Sequence, residues 1–228
     1  MAIMDRKEKV FVVKNISHLK ENLMFLSKSK ENVILLDSNN KKNDYEFIFS
    51  YGKISELKSS DNSLEKLDNY INQVNDWIFG FISYDLKEEI EDFNSKNLKY
   101  FDVPNLSFFQ PSTIWIFDGV ILKALYFDEK ELLEDWSEIN KIHTSSDYNK
   151  NNLNVELKGR LSKEEYIKKI KNIKNRIKIG DTYELNFCFD FFNDNTKINP
   201  ENTFKKLNKL TESPMSVYYK DKHFHILS

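Results

Sequence analysis

The sequence predicts a mixed α/β domain of the α+β type, on three observations. Strand-like and helix-like hydrophobic periods succeed one another along the chain. Asp118-Gly119 joins two apolar runs as a tight hairpin. No internal repeat, low-complexity segment or Pro-rich linker divides the 228 residues, 40% of them hydrophobic, so one sizeable core is expected.

Taken in order, Phe11 to Val13 reads as a short strand, and Ser17 caps a helix with Leu19, Leu23 and Leu26 on one face. Val33-Ile34-Leu35-Leu36 is a buried strand running into the polar turn Asp37-Ser38-Asn39-Asn40. Tyr45 to Tyr51 alternates as a strand, and Leu64, Leu67, Ile71 and Val74 then recur at helical spacing. Trp77 to Tyr84 is apolar on both faces around Gly80, which predicts an interior strand closely approached by another backbone or side chain. Thr113 to Phe117 and Val120 to Phe127 flank the Asp-Gly turn. Asp128 and Glu131 read as a capping box for a helix carrying Leu132, Trp136 and Ile139 inward.

His143 to Asn152 is polar and predicts an exposed loop. Ser162 and Glu165 form a second capping box, for a helix with the stripe Ile170, Ile173 and Ile177 that Gly180 ends. Tyr183, Leu185, Phe187, Phe189 and Phe191 then alternate with Glu184, Asn186, Cys188 and Asp190, predicting a strand with one core face and one polar face. Asn199-Pro200 opens a last helix with Phe204, Leu207 and Leu210. Val217 to Tyr219 and His223 to Leu227 form a final hairpin, whose second strand reaches Ser228 without a closing element, so the chain is expected to be the front part of a larger protein. The expected organisation is a region over 1–142, a polar loop over 143–158 and the start of a second region over 159–228.

Composition narrows the function. The 34 basic and 36 acidic side chains nearly cancel and do not gather in blocks, so neither nucleic acid nor membrane is an expected partner. One cysteine excludes a disulfide framework and suits a reducing cytoplasm; the N-terminus is charged and unlike a signal peptide. No Gly-rich phosphate loop, GxSxG elbow or HExxH pair occurs.

Four groups of polar residues invite a chemical reading, each beside a plainer one. Cys188 sits mid-strand among phenylalanines and is read as a packed side chain, not a nucleophile. His223 and His225 share a strand face without a third ligand at suitable spacing, and are read as an exposed edge pair. Asp85, Glu88, Glu89 and Glu91 form either a cation site or the solvated first turn of a helix. Glu184 and Asn186 line a cavity or bond to a neighbouring element, since unpaired burial is costly.

Several segments resemble the chorismate-utilising enzymes, the family of anthranilate synthase component I and aminodeoxychorismate synthase component I. Ile177-Lys-Ile-Gly-Asp-Thr-Tyr-Glu-Leu-Asn186 is similar to the family's helix followed by Gly-Asp, an aromatic, Gln or Glu, an aliphatic and Asn. Ser213-Pro214-Met215-Ser216-Val217-Tyr218-Tyr219 is similar to its Asn-Pro-Ser-Pro-aromatic segment, with Thr211-Glu212 in place of Asn-Pro and Met215 in place of the aromatic. Gly80-Phe81-Ile82-Ser83-Tyr84-Asp85 and Leu35-Leu36-Asp37-Ser38 resemble two further family segments. The Asp37-Ser38-Asn39 form and Tyr84-Asp-Leu-Lys87 with Glu88 to Glu91 look closer to the aminodeoxychorismate branch than to the anthranilate branch.

The resemblance implies the N-terminal half of the family's sandwich, two mostly antiparallel sheets faced by helices. It implies amination of chorismate to 4-amino-4-deoxychorismate in para-aminobenzoate and folate synthesis, with Mg²⁺ as the Lewis acid and ammonia from a glutaminase subunit, component II. In that branch a lysine is thought to attack the ring first. The metal ligands and catalytic residues of the family lie beyond Ser228, so no catalytic or metal-binding residue is nominated here. The resemblance also implies a pocket for tryptophan or a similar effector, matched by Ser38, Pro214, Met215 and Ser216; Met215 shapes such a pocket less rigidly than a ring. The alternatives are another chorismate enzyme, such as anthranilate synthase component I, and a stand-alone, non-catalytic module that binds an amino-acid effector or a glutaminase.

Overall fold

Every side chain of Thr113–Phe117 is buried, as a strand must be when both faces of its sheet are covered. The computed structural model that places it describes residues 5–13, 16–41, 44–91, 95, 98–141 and 155–228. In chain order the elements are β1 Lys7–Phe11, α1 Ile16–Leu26, β2 Val33–Asp37, β3 Phe47–Tyr51, β4 Ser55–Ser59, α2 Ser63–Val74, β5 Phe79–Ile82, α3 Lys87–Ile90, β6 Leu106–Gln110, β7 Thr113–Phe117 and β8 Leu122–Tyr126. They continue with α4 Glu129–Ile139, β9 Lys158–Gly159, α5 Lys163–Lys178, β10 Phe191–Phe192, α6 Pro200–Thr211, β11 Ser216–Lys220 and β12 His225–Leu227. The fold is α+β, with antiparallel sheets. Two compact units divide it: Met1–Tyr148 with Pro200–Ser228, and Asn149–Asn199. The polar loop expected over 143–158 lies largely outside the described residues, as does the side chain of the expected cap Ser17.

The first unit holds a seven-stranded sheet in the order β1-β8-β7-β3-β2-β11-β12 and a three-stranded sheet in the order β4-β6-β5. The period-two alternation of the strands sorts the core into two layers. Phe47, Phe49 and Tyr51 of β3 join Trp115 and Phe117 of β7 on the face covered by Leu19, Leu23 and Leu26 of α1, Leu132 of α4 and Phe204 of α6. Ile114, Ile116, Ile34 and Tyr219 point the other way, against Phe79 and Phe109 of the small sheet. Ser50 of β3, in the seven-stranded sheet, is also fully buried, with no hydrogen-bond partner for its Oγ. An orphaned hydroxyl is a penalty, so Ser50→Ala is expected to leave stability unchanged or raise it by about 1 kcal/mol in urea melts.

Several expectations shift. The first strand is Lys7–Phe11, not 11–13. The Asp118 hairpin is present, with Phe117 opposite Leu122, but its loop is four residues long and the second strand starts at Leu122 instead of Val120. Gly119 takes φ +98 there, and Asp118 Oδ1 accepts from the N–H groups of Val120 and Ile121. Asp128 caps α4, but Glu131 does not complete the box: its carboxylate turns to Lys30 Nζ at 3.0 Å. In α2, Tyr70 is the buried hydrophobic side chain, its hydroxyl 2.8 Å from Ser55 Oγ, while Leu64 and Ile71 of the expected stripe are exposed. Leu210 of α6 is exposed as well. The Trp77–Tyr84 run forms an edge strand, β5, rather than an interior one.

Charged anchors tie the strand ends down. Arg6 Nε donates to both Asp76 oxygens at 2.8 Å, and its guanidinium also reaches the carbonyls of Pro111 and Ser112. Burial alone would raise the Asp76 carboxyl, but Arg6, the Gln110 amide and the Trp77 N–H outweigh it and hold it below its ordinary value. A carboxyl lowered on folding adds stability above its unfolded pKa, and that contribution disappears as pH falls through the folded value. Asp76→Asn is therefore expected to lose less stability than the parent between pH 7 and pH 3, measured by urea denaturation at both. At the far end of β11, Lys220 Nζ donates to the carbonyls of Ser27, Lys28 and Lys30, capping the turn that follows α1.

In the second unit the Ser162–Glu165 capping box forms in full. The strand expected over Tyr183–Phe191 does not: only Phe191 and Phe192 pair, with Gly159 and Lys158. A period-two pattern makes a strand only when another strand supplies hydrogen bonds; beyond the Arg160 N–H that Asp190 O accepts at 3.0 Å, no strand among the described residues pairs with 183–189. Phe187 and Phe189 do turn toward Tyr166 of α5, with ring centroids 5.7 and 5.2 Å away, but Tyr183, Leu185 and Phe191 are exposed. Among the described residues no helix is long and apolar enough to cross a membrane.

Candidate functional site

Asp37 closes β2 and Ser216 opens β11, and the antiparallel register sets the two opposite each other. That pairing decides what meets at this end of the sheet. The turn after β2 carries Ser38, Asn39 and Asn40, and the approach to β11 carries Ser213, Pro214 and Met215.

Each turn residue has a local reason for its place. Ser38 donates twice to the Glu46 carbonyl, from its N–H and its Oγ, both at 2.9 Å, which closes the β2–β3 loop. Asn39 and Asn40 lie in the left-handed region, at φ +51 and +58, where asparagine is among the few tolerated side chains. The Asn39 N–H donates to Asp37 Oδ1 at 2.9 Å. Its side-chain amide reaches across to Ser213 O and Asn208 Oδ1, each at 2.7 Å, and to Ser216 Oγ at 3.3 Å. Asn208 answers from α6, donating to Asp37 Oδ2 at 2.9 Å. Lys20 of α1 pairs with both Asp37, at 2.9 Å, and Glu46, at 3.1 Å.

These segments bound an open cleft of about 380 Å³, inside the roughly 300–1,000 Å³ span usual for small-ligand sites. Leu36, Ile48 and Val217 give it a half-buried apolar lining, Tyr45 and Met215 stand exposed on its rim, and Asp44 and Glu46 supply carboxylates. Apolar surface beside carboxylates suits a small apolar molecule that carries an amine. All four residues nominated from the sequence, Ser38, Pro214, Met215 and Ser216, line this one cleft. Sequence reading missed Asn39, Asn208, Tyr45 and Glu46. The Asn39-Asn40 pair directly after a buried strand was the available signal, because such pairs favour left-handed turns.

The other nominated residues lie elsewhere. Cys188 is exposed, not packed within a strand. Glu184 and Asn186 are exposed too, and neither lines a cleft described here. His223 is exposed at the turn before the edge strand β12, and His225 Nδ1 lies 3.2 Å from the Tyr218 hydroxyl. That hydroxyl donates to Glu201 at 2.9 Å, and burial beside Glu201 raises the phenol well above its ordinary pKa.

The acidic run after β5 has structural partners. Glu89 accepts from the N–H and Oγ of Ser63 and from Asn105 Nδ2, all at 2.6 Å, and so caps α2 from another segment. Asp85 pairs with Lys87 and Lys99, and Glu88 with Lys99. Among the described residues no group of three His, Cys, Asp or Glu side chains could hold a metal ion. The Mg²⁺ that the resemblance implies thus has no candidate ligand set among the described residues.

A family model described as chorismate binding enzyme matches residues 20–228, a span that includes every residue lining the cleft. The curated proteins contain no match to the chain.

Proposed function

Given that this chain belongs to the chorismate binding enzyme family, we propose that it serves in amination of chorismate, in the manner of aminodeoxychorismate synthase component I. Ammonia from a glutaminase subunit is the nucleophile, 4-amino-4-deoxychorismate the product, and synthesis of a folate precursor in the cytoplasm the setting. The cleft at the end of β2 and β11 is the effector site of that enzyme, taking tryptophan or a similar amino acid.

The observation that carries this reading is the meeting of the Asp37-Ser38-Asn39 turn with Ser213–Ser216 in one cleft. These are the two segments whose letters resemble the family's effector pocket, and the Asp-Ser-Asn form favours the aminodeoxychorismate branch. The β2–β11 register is what brings these two distant segments to one end of the sheet.

Complementation tests the branch. The gene that encodes this chain is expected to restore growth without para-aminobenzoate to a bacterium lacking its own component I. Rescue of a tryptophan auxotroph lacking anthranilate synthase component I, without rescue of the first strain, would overturn the assignment.

One observation favours a second reading, a non-catalytic module that binds an amino-acid effector: the cleft is complete within the first compact unit. That reading predicts ligand binding without rescue of either strain.

A further inference from the structure

We propose that Asn39 is the positioning residue that sets the gap between the two walls of the cleft, and that it couples ligand binding there to helix α6. The inference rests on the effector reading above and goes beyond it, from a list of lining residues to the device that holds them.

The argument starts from where the β-ladder stops. The β2–β11 register ends at Asp37 opposite Ser216. Two residues before Ser216 stands Pro214, which has no N–H to donate, and the chain approaching it leaves α6 through Glu212 at φ +44. Past the last rung, then, the walls are no longer joined by regular pairing, and this is where the cleft opens.

Asn39 supplies the missing cross-tie. Its amide nitrogen sits 2.7 Å from Ser213 O and 2.7 Å from Asn208 Oδ1. Its own backbone is pinned by Asp37 Oδ1, and Asp37 Oδ2 receives the Asn208 amide, so Asp37, Asn39 and Asn208 close a ring. One wall of the cleft, the far wall and α6 therefore share one set of bonds.

Only asparagine meets all the demands of the position. Glycine would keep the left-handed backbone and lose the tie. Aspartate would tolerate the backbone but could not donate to a carbonyl, and would face the Asp37 carboxylate. On this proposal a ligand between Tyr45 and the Pro214–Met215 segment fits the gap that the tie sets, so the tied arrangement is the one it binds best. By reciprocity, loosening Asn208 on α6 must weaken the ligand as well.

Calorimetric titration of the full chain with L-tryptophan tests this, using Asn39→Gly, Asn208→Ala and the double variant, each checked by thermal melts and titrated well below its midpoint. The parent is expected to bind, and each single variant to bind at least about tenfold more weakly, as loss of one or two well-made hydrogen bonds implies. The double variant is expected to be little weaker than either single one, because both break the same tie. If the parent binds and the single variants bind within about threefold of it, or if the two effects simply add, Asn39 is a stabilising turn residue and the proposal fails. If the parent binds neither tryptophan nor phenylalanine, the effector reading itself fails, and the proposal with it. Asn39→Gly keeps an allowed backbone, and Asn39→Asp serves as a second variant should glycine unfold the turn.

Discussion

Gly80→Ala is expected to destabilise the protein by about 3 kcal/mol or more, at the upper end of what overpacking costs. Gly80 lies in β5 directly opposite Phe108 of β6. A Cβ there would fall 2.0 Å from the Ser107 carbonyl oxygen, 2.7 Å from Phe108 Cα and 2.8 Å from Phe108 Cγ. Two of these three are backbone atoms held by the β-ladder, so no side-chain rotation relieves the clash. Either β5 leaves its partner or the small sheet shifts against Ile34, Ile114 and Tyr219, which pack against its Phe79 and Phe109. Urea denaturation reads the effect, and a change below about 0.5 kcal/mol, the level of an ordinary surface substitution, would contradict it. The glycine in this family-like segment thus has a packing reason that needs no catalytic role.

Asp135→Leu is the second large effect, expected to destabilise by about 2–4 kcal/mol. Asp135 is a buried residue of α4, where it accepts a bond from the Tyr51 hydroxyl and pairs with Lys30 Nζ at 2.8 Å. Lys30 also lies 4.6 Å from the centre of the Tyr51 ring, and Trp115 Nε1 donates to the Tyr51 oxygen at 3.3 Å. Removing the carboxylate leaves a largely buried ammonium and a buried phenol short of a partner. Lys30 keeps Glu131, which places the effect below the full penalty for an isolated buried charge.

The two partners of this pair respond differently to burial. Desolvation opposes the charge on both, but the carboxylates around Lys30 overcome it and raise the ammonium, whereas burial raises the Asp135 carboxyl in spite of Lys30 and Tyr51. The carboxylate is the more deeply buried partner, so it bears the larger desolvation penalty. A buried pair of this kind is expected to be replaceable as a unit: Lys30→Met with Asp135→Leu should recover much of what Asp135→Leu alone loses. Equal losses in the single and double variants, from the same urea melts, would refute that.

Local chemistry was legible in the sequence at several places where it acts over a few residues, though not at Glu131, whose carboxylate turns to Lys30 instead of completing a capping box. The Ser162–Glu165 box, the Asp118-Gly119 hairpin and the buried run Val33–Leu36 all form, because capping, left-handed turns and hydrophobic alternation depend on near neighbours. Non-local pairing was not legible. The Tyr183–Phe191 alternation is as regular as that of β3, yet only β3 has strands on both sides to bond with. Likewise nothing local announces that β11 joins β2 in a sheet whose other edge is the strand begun at Lys7.

The cleft divides in the same way. Ser38 and the Pro214–Ser216 segment were reached through resemblance of short motifs. Asn39 was read only as part of a polar turn, since its contacts with Asn208, Ser213 and Ser216 span 169, 174 and 177 residues. The acidic run after β5 kept two readings open until Glu89 met Ser63 and Asn105, partners that no spacing rule connects to it.

The most direct test of the proposed function is the product made by the native protein, captured from its host with an antibody against residues 1–228 and given chorismate, Mg²⁺ and ammonium. Chromatography with mass detection is expected to find 4-amino-4-deoxychorismate. Anthranilate, isochorismate or unchanged chorismate in its place would contradict the assignment.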